Sequence, residues 1–171
     1  MASNTPPAGD DGDRPQQYSE VTIQAQLAIQ KIYLKDVSFE APQSPQAFLE
    51  QWQPSVELQL NTRSNALDKE VHEVVLTVTA TVKSKDVVMY LIEVEQAGVF
   101  SISGVPAQHL NGVLATACPN ILFPYAREAV SDLVSKGGFP PLLLAPVNFE
   151  ALYGEELKRQ RERAARPEQT H

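Results

Sequence analysis

Nucleophilic or metal-centred chemistry in this chain would have to start from Cys118, its one cysteine, and three histidines. His109 lies nine residues before Cys118. A thiol and an imidazole make a working nucleophile only when further groups orient and activate the pair, and none is indicated. Cys118 instead precedes Pro119 in an apolar stretch, where a free cysteine packs as a small hydrophobe. His72 stands just ahead of a run of apolar residues, and Ser103-Gly104 has neither a neighbouring base nor a nucleophile-elbow pattern. No glycine-rich phosphate loop is present, and no His or Cys/His spacing suits a metal. The expectation is a protein without catalytic residues, metal or cofactor. A lone cysteine also excludes an intramolecular disulfide and fits a reducing compartment.

The other chemistry available is charge and apolar surface. Val74, Leu76, Val78, Ala80 and Val82 share one strand parity, and Val88, Tyr90, Ile92 and Val94 share another; these read as buried faces. The opposite parities carry Glu73, Val75, Thr77, Thr79 and Thr81, then Met89, Leu91, Glu93 and Glu95. Apolar Met89 and Leu91 beside carboxylates fit a docking surface of acidic character. They fit equally a solvated sheet face with scattered apolar residues. Phe48, Leu49 and Trp52, on a proline-rich connection, pose a similar choice. They either cap the core or line a groove with Leu142–Leu144 and the face of the last helix.

The elements that position these residues come from periodicity. Val21, Ile23, Ala25, Leu27 and Ile29 alternate as a strand. Its parity slips to Ile32 and Leu34, then back to Val37 and Phe39, which predicts bulges in one long strand. Ala41–Pro54 is a long connection. Val56, Leu58 and Leu60 restart the alternation, Asn61–Glu70 is polar and turn-like, and Val74–Val82 is a strong strand. Lys83–Asp86 suits a hairpin before a strand at Val87–Glu95, which Val99–Ile102 extends past Gly98. Helical spacing follows. Leu110, Val113, Leu114 and Ala117 share a face before Pro119. A second segment runs from near Asn120 or Pro124 through Val134 and stops at Gly137-Gly138. Phe139–Pro146 must be extended. Asn148 is a plausible N-cap for a last helix striped by Phe149, Leu152, Tyr153 and Leu157, with Lys158, Arg159, Arg161 and Arg163 near its end. Strands first and helices afterwards make an α+β fold.

The 171 residues suit one domain, and a net charge of −7 argues against a general nucleic-acid binder. Residues 1–20 hold Asp10, Asp11, Asp13 and Glu20 against Arg14, with no apolar run. They read as a flexible acidic tail and not as an export signal. The folded domain is expected over 21–157, with a flexible tail over 158–171. The 31 residues Gln96–Ala126 contain no Asp, Glu, Lys or Arg, but prolines and glycines break them too often for a membrane span. Such a run needs a dry home, and a subunit interface would provide one.

Five stretches resemble one family. They are Ile32-Tyr33-Leu34-Lys35-Asp36-Val37-Ser38-Phe39-Glu40-Ala41-Pro42, Trp52-Gln53-Pro54, Gly98-Val99-Phe100-Ser101-Ile102, Cys118-Pro119-Asn120-Ile121-Leu122-Phe123-Pro124-Tyr125-Ala126-Arg127-Glu128 and Leu144-Ala145-Pro146-Val147-Asn148-Phe149. In this order, over Gln30 to Leu157, they resemble SecB, the bacterial protein-export chaperones. The resemblance implies a four-stranded antiparallel sheet followed by helices, assembled as a homotetramer that is a dimer of dimers. The helix after the sheet, with Leu110, Val113, Leu114 and Ala117, would lie at the dimer–dimer interface. It implies a cytoplasmic holdase without enzymatic activity or ATP. Such a protein keeps precursors unfolded and passes them to SecA, the motor of the Sec translocon.

The family's SecA-docking residues match Asp36, Glu40, Leu91 and Glu93, which tips the parity choice toward docking. Its client-groove tryptophan matches Trp52, and an aromatic of the last helix matches Tyr153, where phenylalanine is usual. Phe48, Leu142, Leu144, Phe149 and Leu152 are further groove candidates. Lys158–Arg166 departs from the family's polar, acidic tail. A SecB-like chaperone dedicated to a toxin–antitoxin pair is the alternative.

Overall fold

The structure, a computed structural model, describes residues 24–165. Residues 1–20 and 166–171, and Val21 and Ile23 of the expected first strand, lie outside the described residues. Four long strands, β1 (Gln26–Glu40), β2 (Ser55–Asp68), β3 (Val71–Ser84) and β4 (Val87–Ser103), form one antiparallel sheet in the order β1-β4-β3-β2. The chain therefore starts at one edge and crosses through Ala41–Pro54, which holds one 3-10 turn at Gln46–Phe48. It then returns strand by strand to β1, as in a Greek key.

The parity slips of β1 are real bulges: its register against β4 shifts between Ile29 and Lys31 and again between Leu34 and Asp36. They keep Leu27, Ile29, Ile32, Leu34, Val37 and Phe39 on a single face. The region Asn61–Asp68, expected as a turn, is strand. Its polar side chains pair with neighbours across the sheet, so the ladder continues without an apolar stripe. Lys85 and Asp86 both take positive φ (49° and 68°), the backbone of a two-residue hairpin turn whose twist matches its strands.

Helices α1 (Ala107–Ala115), α2 (Ala117–Lys136) and α3 (Phe149–Ala165) follow the sheet. Pro119 does not divide them. It sits in the first turn of α2, where no intrahelical donor is lost, and Pro124 is carried inside the helix. Thr116 is the joint, its hydroxyl donating to the Gly112 carbonyl at 2.8 Å. α2 stops where expected. A Cβ on Gly137 would lie 2.3 Å from the Phe39 ring, and Gly138 has φ of +85°. The Ala151 amide donates to the Asn148 side chain at 2.9 Å, so Asn148 is the N-cap of α3. α3 then continues to Ala165. Residues 158–165 are thus helical and not the expected flexible tail: alanines, arginines and Glu–Arg spacings extend the helix without burial.

The core lies between one sheet face and the helices. Val74, Leu76, Val78, Val82, Ile92, Val94 and Phe100 meet Leu114, Cys118, Leu122, Ala126, Val130 and Val134 there. Much of the charge-free run is inside this core: Phe100, Ile102, Leu114, Cys118, Leu122, Phe123 and Ala126 are buried there, and Ala97 is buried on the opposite sheet face. The run thus finds most of its dry home without a second subunit. Among the described residues no helix is long and apolar enough to cross a membrane.

Candidate functional site

Among the described residues, no helix covers the second sheet face. Strand register places Glu40 opposite Leu91, Ser38 opposite Glu93, and Asp36 opposite Glu95. The same rungs continue through Thr81, Thr79 and Thr77 of β3. Asp36, Glu40, Leu91 and Glu93, far apart in sequence, therefore occupy one corner of this open face, with neighbouring Cβ atoms roughly 4.5–5.5 Å apart across paired strands. Met89 does not join them. The ladder slips between Val82 and Lys83, which turns Met89 into the core.

Three basic side chains of the open face are engaged. Arg63 donates from both terminal nitrogens to Glu95, at 2.8 Å each. Lys83 pairs with Glu57 at 2.8 Å, and Lys35 with Glu73 at 2.6 Å. Asp36, Glu40 and Glu93 have no cation within 4.0 Å among the described residues. Glu93 is held instead by the Thr79 hydroxyl, which donates to it at 2.8 Å. The corner is acidic, partly apolar through Leu91, and free to take a cationic partner.

The other end of this face is self-satisfied. The Glu73 carboxylate accepts from Lys35, from the Tyr33 hydroxyl and from Asn65. The hydrogen bonds from Lys35 and Tyr33 hold its carboxyl down at about 2. The bond to Glu73, with burial, pushes the Tyr33 hydroxyl up to about 12. A carboxyl depressed by folding contributes stability above its ordinary value of roughly 4.3, lost as pH falls through 2. A phenol raised by folding contributes stability below its ordinary value, lost as pH rises through about 12. Glu73→Gln should therefore flatten the decline in denaturation midpoint between pH 4 and pH 2. Parallel acid limbs in the two proteins would remove Glu73 from that role.

Clefts of mixed polar and apolar lining lie along β2. One, of about 900 Å³, has Trp52, Pro54 and Pro140 among polar residues that include Glu50, Gln51, Lys85 and Asp86. Trp52 is half-buried, edge-on to Phe139 at 6.1 Å. Phe139 also meets Phe39, Phe48 and Tyr90, an aromatic hub that sequence spacing did not reveal. The second cleft, of about 280 Å³, is lined by Leu60, Thr62, Ala115, Phe149, Leu152 and Tyr153. Between them β2 exposes Val56 and Leu58 on the helix-side face, opposite Val82 and Ala80. The two clefts and this floor make one trough along β2, which has no strand on its outer side among the described residues. Ser55 to Leu60 alone spans roughly 17 Å.

Three expected groove residues turn largely inward. Leu144 and Phe149 are buried core, Phe149 edge-on to Phe123 at 6.0 Å and only bordering the second cleft. Leu142 also packs inward, because an extended chain alternates, and Leu143 between them is 76% exposed. Leu49 is 85% exposed, and the neighbouring Phe48 is half exposed. Leu114, expected at a subunit interface, is 5% exposed within the protomer and belongs to the core, while Leu110, Val113 and Ala117 are half-buried. A further apolar row lies on β1, where the helix-side residues Leu27, Ile29, Leu34 and Val37 remain exposed. Cys118 is fully buried and burial pushes its thiol up to about 12, whereas His109 is exposed on α1. They do not form a nucleophile–base pair.

Comparison with known proteins decides the family. A family profile, Preprotein translocase subunit SecB, matches residues 20–160. The protein-export protein SecB of Marinobacter nauticus is 48% identical, with 100% of both chains covered. That of Nitrosococcus oceani is 52% identical over 91% of this chain and 96% of its own. The chain belongs to the SecB protein-export family. Its fold also matches a solved SecB-like chaperone of Mycobacterium tuberculosis, determined in complex with an antitoxin peptide. The TM-score is 0.61 and the identity 20%, covering 71% of this chain and 91% of that one. This SecB-family protein thus presents two separate surfaces: a trough of mixed lining with apolar residues on the helix side of its sheet and an acidic corner on the open side.

Proposed function

We propose that this protein is an ATP-independent holdase of the cytoplasm, without enzymatic activity. It binds unfolded precursors, keeps them translocation-competent and hands them to SecA. The observation that carries this reading is the open trough along β2. Unfolded chains share only exposed apolar side chains and unpaired backbone groups. A trough with Trp52, Val56, Leu58, Leu152 and Tyr153 takes the first, and the free edge of β2 takes the second. Release then comes from transfer, and the Asp36, Glu40, Leu91 and Glu93 corner is the docking site for SecA. Because that corner faces away from the trough, a client and SecA are held together without competing for one surface.

Assembly as a homotetramer, a dimer of dimers, is part of the same proposal. The exposed apolar row of edge strand β1 supports it, since an uncovered edge of this kind invites pairing with another copy.

Trp52 is the only tryptophan, so its emission reports on the trough. Adding an unfolded precursor should shift that emission, and Trp52→Ala should weaken holding roughly 3- to 30-fold while leaving the oligomer intact. Unchanged emission with clients bound, and normal holding by the alanine variant, would place the client site elsewhere. Chains co-purifying from cells separate this reading from a dedicated one. Many signal-bearing precursors support export, and a single antitoxin supports a toxin–antitoxin chaperone.

A further inference from the structure

We propose that Arg63 sets the size of the acidic docking corner, withholding Glu95 from it and so limiting affinity for a cationic partner. This rests on the reading of the open face as the SecA-docking site.

The geometry is that of a strap. Arg63 is on β2 opposite Val75, and Val75 is opposite Ala97 on β4. Its guanidinium nevertheless reaches the Glu95 carboxylate, one rung along and two strands over, with Nη1 also 3.5 Å from the Thr77 hydroxyl. The side chain therefore crosses β3. Val75, on a face without a helix, is 0% exposed. A planar guanidinium matched to both carboxylate oxygens is a directional pair that a lysine would not reproduce.

What the strap withholds is contiguous with the docking corner. Glu95 is opposite Asp36 and two positions from Glu93 on the same strand face. Without Arg63, Asp36, Glu40, Glu93 and Glu95 would form one four-carboxylate field around Leu91. With it, Glu95 and Arg63 present a neutral border. The face then offers three free carboxylates toward the Leu91 corner and a satisfied network toward Glu73. A partner suited to this layout carries a short cationic segment with one apolar side chain. The border keeps it from sliding along the sheet or binding too tightly to leave. Lys31, opposite Val99 at the far end and without an ion pair among the described residues, provides a control cation outside the corner.

The test is a charge cycle on the full chain, with SecA as the probe. Arg63→Gln should tighten binding ~3- to 10-fold at low salt, with the gain shrinking as salt is raised. Glu95→Gln, which frees a cation at the border, should weaken it by a similar factor. The double variant should return close to the wild-type value, and Lys31→Gln should move affinity less than about twofold. The salt dependence of the gain and the opposite signs of the single variants guard against a general loss of structure. If Glu93→Lys abolishes SecA binding but Arg63→Gln leaves it unchanged or weaker, the docking site stands and the role of Arg63 is overturned. If Glu93→Lys binds SecA like the wild type, the docking site is overturned and the role of Arg63 with it.

Discussion

Glu93→Lys should lower affinity for SecA roughly 10- to 100-fold and leave client holding unchanged, as measured by titration at low and moderate salt. The size follows from where the charge lies. A single exposed ion pair is worth roughly 0.2–1 kcal/mol, so simple loss of Glu93 would cost little. Reversal does more. It places a cation between Asp36 and Glu40, so two of the corner's remaining attractions are cancelled, and an arriving cation is repelled. It also removes the carboxylate that Thr79 orients. Client holding should be spared because the proposed trough lies on the opposite face of the sheet. Loss of both activities together would mean that the two share a surface or that the fold has failed.

Leu114→Glu should unfold the protomer and not merely divide an assembly. Leu114 packs against the buried side chains of α2 and the sheet, and truncating such a leucine alone costs roughly 2–5 kcal/mol. A carboxylate placed there also loses its hydration with no partner to replace it. Against a typical total of roughly 5–15 kcal/mol, the sum removes much of the stability of the domain. Circular dichroism should show a lost or strongly lowered unfolding transition. Leu34→Glu, on the exposed row of β1, should instead give folded, smaller particles by light scattering. Folded dimers from Leu114→Glu, or an unchanged tetramer from Leu34→Glu, would move the interface back to α1.

Local features were readable from the sequence because they depend on neighbours in the chain. The two slips in β1, the Asn148 cap, the hairpin at Lys85-Asp86 and the Gly137-Gly138 stop are of this kind. Features that depend on distant pairing were not. Nothing local shows that β1 crosses to the far edge and pairs with β4, which is what sets Asp36 and Glu40 beside Glu95 and Leu91. Asn61–Asp68 lacks an apolar stripe, so its strand character is visible only once Arg63 and Asn65 have partners across the sheet. The Met89 bulge is one residue long, and parity reasoning assumes no such slip. Leu114 lies in a charge-free run, and such a run cannot tell its own core from a neighbour's. For Leu142, Leu143 and Leu144 the signal was present: alternation in an extended segment assigns the middle leucine to water.

The crossover that carries β1 to the far edge also sets the order in which the protein can be made. Gln26 pairs with Ser103, 77 positions later, so β1 emerges from the ribosome long before its partner exists. At elongation rates of about 5–20 residues per second, that strand waits roughly 4–15 s with its apolar row unpaired. The β2-β3-β4 meander, built from short hairpins, closes first, and the large loop to β1 closes last. During its own synthesis this protein therefore displays for seconds an exposed apolar strand, the feature that the proposed holding activity would recognise in other chains.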